Sequence, residues 1–340
     1  MDGYAVKSDE VELHAMFQVI GEAAAGHRFD GKVGAGQAVR IFTGAPVPEG
    51  ADFVVIQEDV DRKKDLITIL RDPGTSGNIR PLGGDFCVGQ TLSAPRLLRP
   101  ADLALLASMN IPLVPVRRRP VVALISTGDE LVMPGGTPGP DQIMASNTFG
   151  LKAMLEEFGA EAHILPIAKD SEPSLRMAFS LARKVDLVVT IGGASVGDHD
   201  LVAKVAEDLG MDRSFYKVAM RPGKPLMAGR MEEAAMVGLP GNPVSAMVCG
   251  YIFLQPMIKK MLGLPPESDQ IKTARLSHAL AANGPREHYM RAQVTGEDIA
   301  VSSNQDSSLL TVLSTSNALL ICPPNEPARN PGDTMHYLPI

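Results

Sequence analysis

Val121-Val122-Ala123-Leu124-Ile125-Ser126-Thr127-Gly128-Asp129-Glu130-Leu131 is a run of aliphatic side chains that breaks into a short polar loop. An apolar run without polar alternation predicts a strand covered on both faces, as in a parallel sheet. The pattern returns twice downstream. Residues 186–191 lead into Gly192-Gly193-Ala194-Ser195-Val196-Gly197-Asp198-His199-Asp200, and residues 235–239 into Pro240-Gly241-Asn242-Pro243-Val244-Ser245. Residues 162–167 read as a further strand. Helices are expected at 147–158, with Asn147 as cap, at 173–184 and at 201–209, and Pro243 opens a long apolar helix towards Leu262. Strands alternating with helices predict a doubly wound, parallel α/β domain over residues 120–265.

The flanks read differently. Residues 1–88 hold short apolar segments at 17–20, 38–42, 52–57 and 66–70, separated by glycine-rich turns such as 31–36. That pattern predicts an antiparallel sheet or small barrel. Pro100 opens a helix through Met109, and the Pro/Arg-rich stretch 112–120 reads as a linker. Residues 266–340 return to short strands and turns, as in a small β-domain. The fold class is therefore α/β plus β, in several domains, as a length of 340 residues also suggests.

Composition narrows the function. A net charge of −7, with no tryptophan, argues against a general nucleic-acid binder. No stretch approaches a membrane span, and three widely spaced cysteines fit a reducing, cytoplasmic setting. Against this acidic background, Arg213, Lys217, Arg221, Lys224 and Arg230 form a cationic strip. It is either a solvated basic face or a seat for a small anion.

In open α/β sheets, ligands bind beyond the carboxyl ends of the strands. All three polar loops stand there. Their glycines let backbone N–H groups approach a phosphate, and the following helix N-termini favour negative charge. Asn242 is suited to cap the helix opened by Pro243. Carboxylates beside a phosphate site call for a cation, so Glu130, Asp170, Asp198 and Asp200 point to Mg²⁺, a hard ion that takes oxygen ligands. Each loop alone would pass as a tight turn or a helix cap. His199 reads as a structural hydrogen-bonder, and the cysteines as core packing.

Five motifs occur in order: Met1-Asp2-Gly3-Tyr4-Ala5-Val6, Thr43-Gly44-Ala45-Pro46-Val47-Pro48, Thr127-Gly128-Asp129-Glu130-Leu131, Arg221-Pro222-Gly223-Lys224-Pro225 and Leu239-Pro240-Gly241-Asn242-Pro243. Together they resemble the molybdopterin molybdenumtransferases, the MoeA and gephyrin E-domain family. The resemblance spans nearly the whole chain. It implies conversion of adenylylated molybdopterin (molybdopterin-AMP) and molybdate to molybdenum cofactor, with Mg²⁺-dependent release of AMP. It also implies an elongated homodimer whose cleft lies between the α/β domain of one subunit and the β-domain of the other. Residues 1–88 would face that cleft, and 89–119 would be part of the dimerisation domain. Relatives carry some tens of residues ahead of the Met-Asp-Gly-Tyr motif, a segment that this sequence is expected to lack. Molybdopterin adenylyltransferase and molybdoenzyme-maturation proteins are further partners that the resemblance implies.

Site roles follow from the resemblance, residue by residue. Asp2, Thr43, Glu130, Asp170, Asp200, Lys217 and Arg221 match catalytic positions, with Glu130, Asp170 and Asp200 supporting Mg²⁺. Arg221 stands where many relatives have lysine. Arg80, Asp85, Gly192, Gly193, Ser195, Gly197, Pro240, Gly241, Asn242 and Pro243 match substrate-binding positions. Lys224, Pro225, Ser245, Arg286 and Ser307 match the molybdate pocket, with Arg291 a competitor for the anion role of Arg286. Two alternatives stay open: molybdopterin adenylylation, and a gephyrin-like scaffold without catalysis.

Overall fold

The computed structural model describes residues 1–193, 201–265 and 271–340, and the chain divides into two compact units, residues 1–92 and 93–340. The first unit holds β1 (Gly3–Val6), β2 (Met16–Ala23), β3 (Gln37–Ile41), β4 (Phe53–Ile56), β5 (Val60–Lys63) and β6 (Leu66–Ile69). They form one six-stranded sheet in the order β4-β1-β3-β2-β6-β5. Four pairings are antiparallel, but β2 lies parallel to β3. Alternation puts Tyr4 and Val6 into one core and Ala5 into another, so both faces of β1 are covered.

The second unit opens with α1 (Pro100–Ser108), whose Asp102 carboxylate accepts the Arg99 N–H at 2.8 Å. Its α/β domain contains β7 (Val121–Ser126), β8 (Leu131–Val132), β9 (Ile143–Met144), α2 (Asn147–Glu157), β10 (Glu161–Ile164), α3 (Glu172–Leu181), β11 (Leu187–Ile191), α4 (Leu201–Asp208), β12 (Met211–Tyr216), β13 (Met220–Arg221), β14 (Met227–Met231), β15 (Ala234–Leu239), α5 (Pro243–Cys249) and α6 (Gln255–Met261). The main sheet runs β10-β7-β11-β15-β14-β12. The first four strands are mutually parallel, as the apolar runs predict. β14 and β12 add an antiparallel edge, which the charges of the cationic strip conceal in the sequence.

Both faces of this sheet are covered. Leu187, Val189 and Ile191 of β11 pack with Leu151, Val244 and Ile258 on one face, while Val188 packs with Leu175, Phe179 and Val205 on the other. Each such aliphatic side chain, buried completely, contributes roughly 1.5–3 kcal/mol relative to exposure. The helix opened by Pro243 continues through a π-helical turn at Gly250–Leu254 into α6, as its long apolar run predicts. β10 lies on one side of β7 and β11 on the other, so the chain reverses its winding direction between β7 and β11.

The remaining strands are β16 (Lys272–Leu276), β17 (Glu287–Thr295), β18 (Asp298–Val301), β19 (Ala318–Cys322) and β20 (Thr334–Pro339), with α7 (Leu310–Ser314) before β19. They pair β17-β18-β16-β20-β19, and β19 pairs again with β17, which closes a barrel. Leu320 and Cys322 fill the barrel, whereas Leu319 joins the core of the α/β domain. Two expectations need correction. Asn147 is the first residue of α2, with Ser146 in the cap position, and its amide donates to the Gly241 carbonyl at 2.7 Å. Cys249 and Cys322 are buried, but Cys87 is exposed and packs in no core.

Candidate active site

The strand-end loops stand side by side because their strands do. The Thr127 N–H donates to the Ile191 carbonyl at 3.0 Å, the Gly128 N–H to the Ala168 carbonyl at 3.0 Å, and the Gly192 N–H to the Leu239 carbonyl at 3.1 Å. Thus Glu130, Asp170, Gly192 and Gly241 belong to neighbouring turns at one sheet edge. Gly192 has φ +92°, and a Cβ there would stand 2.7 Å from the Thr127 carbonyl oxygen, so the close approach of these loops requires glycine. Gly193 adjoins it, while Ser195, Gly197 and Asp200 lie outside the described residues, as do Asp198 and His199.

The cationic strip is split by the fold. Arg213 pairs with Glu207 at 3.0 Å and Arg230 with Glu233 at 3.6 Å, so these two cations serve the edge of the sheet. Lys217 is exposed, with Nζ 5.3 Å from the centre of the Tyr216 ring. Between Lys217 and Leu226 the chain forms a loop tied by the Lys217 N–H to the Leu226 carbonyl at 2.8 Å and by the Val218 N–H to the Lys224 carbonyl at 3.1 Å. At the tip of that loop, β13 adds in parallel to β17, pairing Met220 with Glu287 and Arg221 with His288.

That pairing assembles a pocket. A cavity of about 360 Å³ is lined by Arg221, Lys224 and Pro225 of the loop, Pro240, Asn242 and Ser245 at the start of α5, Arg286 before β17, and Gln305, Asp306 and Ser307 of the barrel. All five residues expected to hold molybdate are in this wall. The cavity therefore presents three cations, two hydroxyls and the N-terminus of the helix opened by Pro243. Such a donor set suits a small oxyanion. Pro240 and Asn242 line it too, and Gly241 and Pro243 are their neighbours.

Asn242 occupies the cap position of α5, but its side chain makes no capping bond. Its amide donates instead to the Ser307 hydroxyl at 3.2 Å, while the Val244 N–H donates to the Ser307 carbonyl at 3.1 Å. Ser245 is buried in the first turn. The Asp306 carboxylate turns back to accept the Ser308 hydroxyl at 2.7 Å and N–H at 2.8 Å, and these bonds hold its pKa below the usual range.

Arg286 and Arg291 separate cleanly. Arg286 lines the cavity, whereas Arg291 is 2% exposed and lies beneath the wall. Gln305 and Asp306 were not expected from the sequence. The uninterrupted polar run 302–308 in a strand-rich domain is the signal that could have found them.

Two other groups of site residues are placed by the structure. In the unit 1–92, Thr43 donates to the Asp2 carboxylate through its N–H at 2.9 Å and its hydroxyl at 3.0 Å. Those bonds, the backbone one first, lower the Asp2 pKa. Arg80 and Asp85 are exposed in the turns that end that unit. In the α/β domain, Glu130 and Asp170 are exposed carboxylates on adjacent turns, oxygen donors of the type that Mg²⁺ takes. With Asp200 outside the described residues, no group of three or more metal-ligating side chains is assembled among the described ones. No helix among them is long and apolar enough to cross a membrane.

Comparison with known proteins agrees with this architecture. Residues 1–110 match the MoeA N-terminal region (domain I and II), residues 123–260 the probable molybdopterin binding domain, and residues 273–340 the MoeA C-terminal region (domain IV). Molybdopterin molybdenumtransferase of Haemophilus influenzae is 36% identical, over 100% of this chain and 86% of that protein. The Bacillus subtilis protein of the same name is 33% identical, over 100% of this chain and 82% of its own length. A crystal structure of a molybdopterin biosynthesis MoeA protein from Pyrococcus horikoshii superposes with a TM-score of 0.82 at 29% identity, covering 100% of this chain and 86% of that one. Over its whole length, this chain belongs to the molybdopterin molybdenumtransferase family.

Proposed function

We propose that this chain, a transferase of molybdenum cofactor biosynthesis, inserts molybdenum from molybdate into adenylylated molybdopterin and releases AMP in a Mg²⁺-dependent step. One observation supports this reading above the rest: Lys224, Arg221, Arg286, Ser245 and Ser307 line a single cavity beside the strand-end loops of the α/β domain. Molybdate is a tetrahedral dianion, and cations with hydroxyl donors at a helix N-terminus match its charge and shape.

The residues divide the work. Lys224, Arg286, Ser245 and Ser307 hold the oxyanion, while the turns at Gly128, Gly192 and Gly241 offer backbone donors to the pyrophosphate of the second substrate. Glu130, Asp170 and Asp200 would hold Mg²⁺, which supplies charge neutralisation at the phosphates when bound. Lys217 and Arg221 stabilise charge that develops on the departing AMP. Fixing both substrates on one sheet edge replaces a bimolecular encounter with a local one. In this reading the active protein is a homodimer.

The test uses the purified chain with adenylylated molybdopterin, Mg²⁺ and molybdate. AMP release that requires molybdate, with molybdenum retained on the pterin, is the expected result, and Asp200→Asn should abolish it. No AMP release would sink the proposal. Consumption of ATP with molybdopterin alone would point to adenylylation instead.

A further inference from the structure

Arg291 is the bulkiest fully buried side chain among the described residues. Its guanidinium meets only neutral acceptors: Nε donates to Gln305 Oε1 at 3.2 Å, and Nη1 to the carbonyls of Asp306 at 2.7 Å and Leu309 at 3.5 Å. Among the described residues no carboxylate forms an ion pair with it; that of Asp306 is engaged by Ser308. A buried guanidinium whose hydrogen bonds all go to neutral groups is costly, and burial lowers the pKa of Arg291, which the charge of Asp306 offsets only in part. A methionine would fill the same space without that cost, so packing does not account for the arginine.

The bonds all lead to one loop. Gln305 Oε1 also accepts the Arg291 N–H at 3.0 Å, and Gln305 Nε2 donates to the carbonyls of Arg291 at 2.9 Å and Ser302 at 2.8 Å. The loop so held carries Gln305, Asp306 and Ser307 into the cavity wall. Its far side is tied to α5 through Asn242 and Val244. Three lining residues are thus clamped between a buried guanidinium and a helix N-terminus.

We propose that Arg291 is a positioning residue of the oxyanion pocket: its planar fork fixes the 302–309 loop so that Gln305 and Ser307 face the anion, and its charge favours a dianion that it does not touch. The inference rests on the reading of the cavity as the molybdate site. Lysine would keep the charge, but as a point donor it cannot reach the Gln305 amide and the Asp306 carbonyl together.

The test is calorimetric titration of sodium molybdate into the full chain, with turnover and thermal unfolding in parallel. Arg291→Lys is expected to bind molybdate about ten-fold more weakly or worse, and Arg291→Met weaker still. In turnover the loss should appear as a raised KM for molybdate, with kcat at saturation within about twofold. A role confined to stability would lower the thermal midpoint and kcat but leave KM unchanged. Folded Arg291→Lys with wild-type affinity overturns the proposal. Should neither variant fold, Gln305→Ala breaks the same bridge from the loop side, and unchanged molybdate binding there overturns it as well. The two readings fail differently. If Lys224→Ala and Arg286→Ala bind like the wild type, the pocket assignment fails and takes this one with it. If they weaken while Arg291→Lys does not, only the role of Arg291 is lost.

Discussion

The side-chain amide of Asn242 donates to the hydroxyl of Ser307 across 3.2 Å, joining a strand-end loop of the α/β domain to a loop of the barrel. Because Asn242 makes no capping bond, Asn242→Ala should cost the helix little. It releases Ser307, so molybdate affinity is expected to fall about five-fold, the worth of one neutral hydrogen bond of about 1 kcal/mol. Titration calorimetry beside thermal unfolding checks this. A large drop in midpoint with unchanged affinity would contradict it.

Lys224 and Arg286 both line the cavity, one from the α/β domain and one from the barrel. Each charge-assisted bond to an oxyanion is worth about 1.5–3 kcal/mol, so Lys224→Ala and Arg286→Ala should each weaken molybdate binding about ten- to a hundred-fold. Equilibrium dialysis with radiolabelled molybdate measures it. Both variants should remain folded, because neither side chain is part of a buried core.

Gly223 has φ +107°, and a Cβ on it would lie 2.4 Å from the Cys249 sulfur. Alanine there strains the backbone and pushes the Arg221–Lys224 loop off α5, at a cost of about 1–3 kcal/mol. Gly223→Ala should lower the unfolding midpoint and molybdate affinity together. Adding Cys249→Ala should recover part of the stability by removing the clash, but not the part due to φ. Cys249 itself stays inert to thiol reagents at neutral pH, since burial pushes its pKa up to about 12.

Burial, then the charges of Arg221, Arg291 and Arg286, pushes the pKa of His288 down to about 4. In the unfolded chain a histidine titrates near about 6.5. The unfolded chain therefore takes up this proton first as pH falls. The stability at stake is complete above about 6.5 and is lost on acidification towards 4. Unfolding midpoints should decline over that window, and His288→Asn should flatten the decline. A pH profile identical to wild type would contradict the assignment.

Much of the α/β domain was legible because its strands are continuous apolar runs, and only a sheet covered on both faces asks for those. Val121–Ser126 is a strand, as the aliphatic run that opens that stretch predicts. The antiparallel edge was hidden because β12, the outermost strand, and β14 beside it carry charged side chains such as Arg213 and Arg230 at exposed positions, which break up the apolar pattern. Asn147 misled for a related reason. An asparagine before a helix reads as a cap, yet its amide found a better partner in the Gly241 carbonyl, far along the chain.

The sequence by itself determined the alternation of strands and helices and the strand-end loops, because local hydrophobic period and glycine placement encode them directly; five residues of the cavity wall followed only from the family resemblance, and Gln305 and Asp306 from neither. Only the tertiary structure decided which of two nearby arginines meets the cavity. Arg286 and Arg291 lie within one short segment, with the same charge. Arg286 precedes β17 and lines the cavity, whereas Arg291, within β17 and in register with Leu319 of β19, is covered by the 302–309 loop. That register depends on contacts between segments distant in sequence, which no local pattern records.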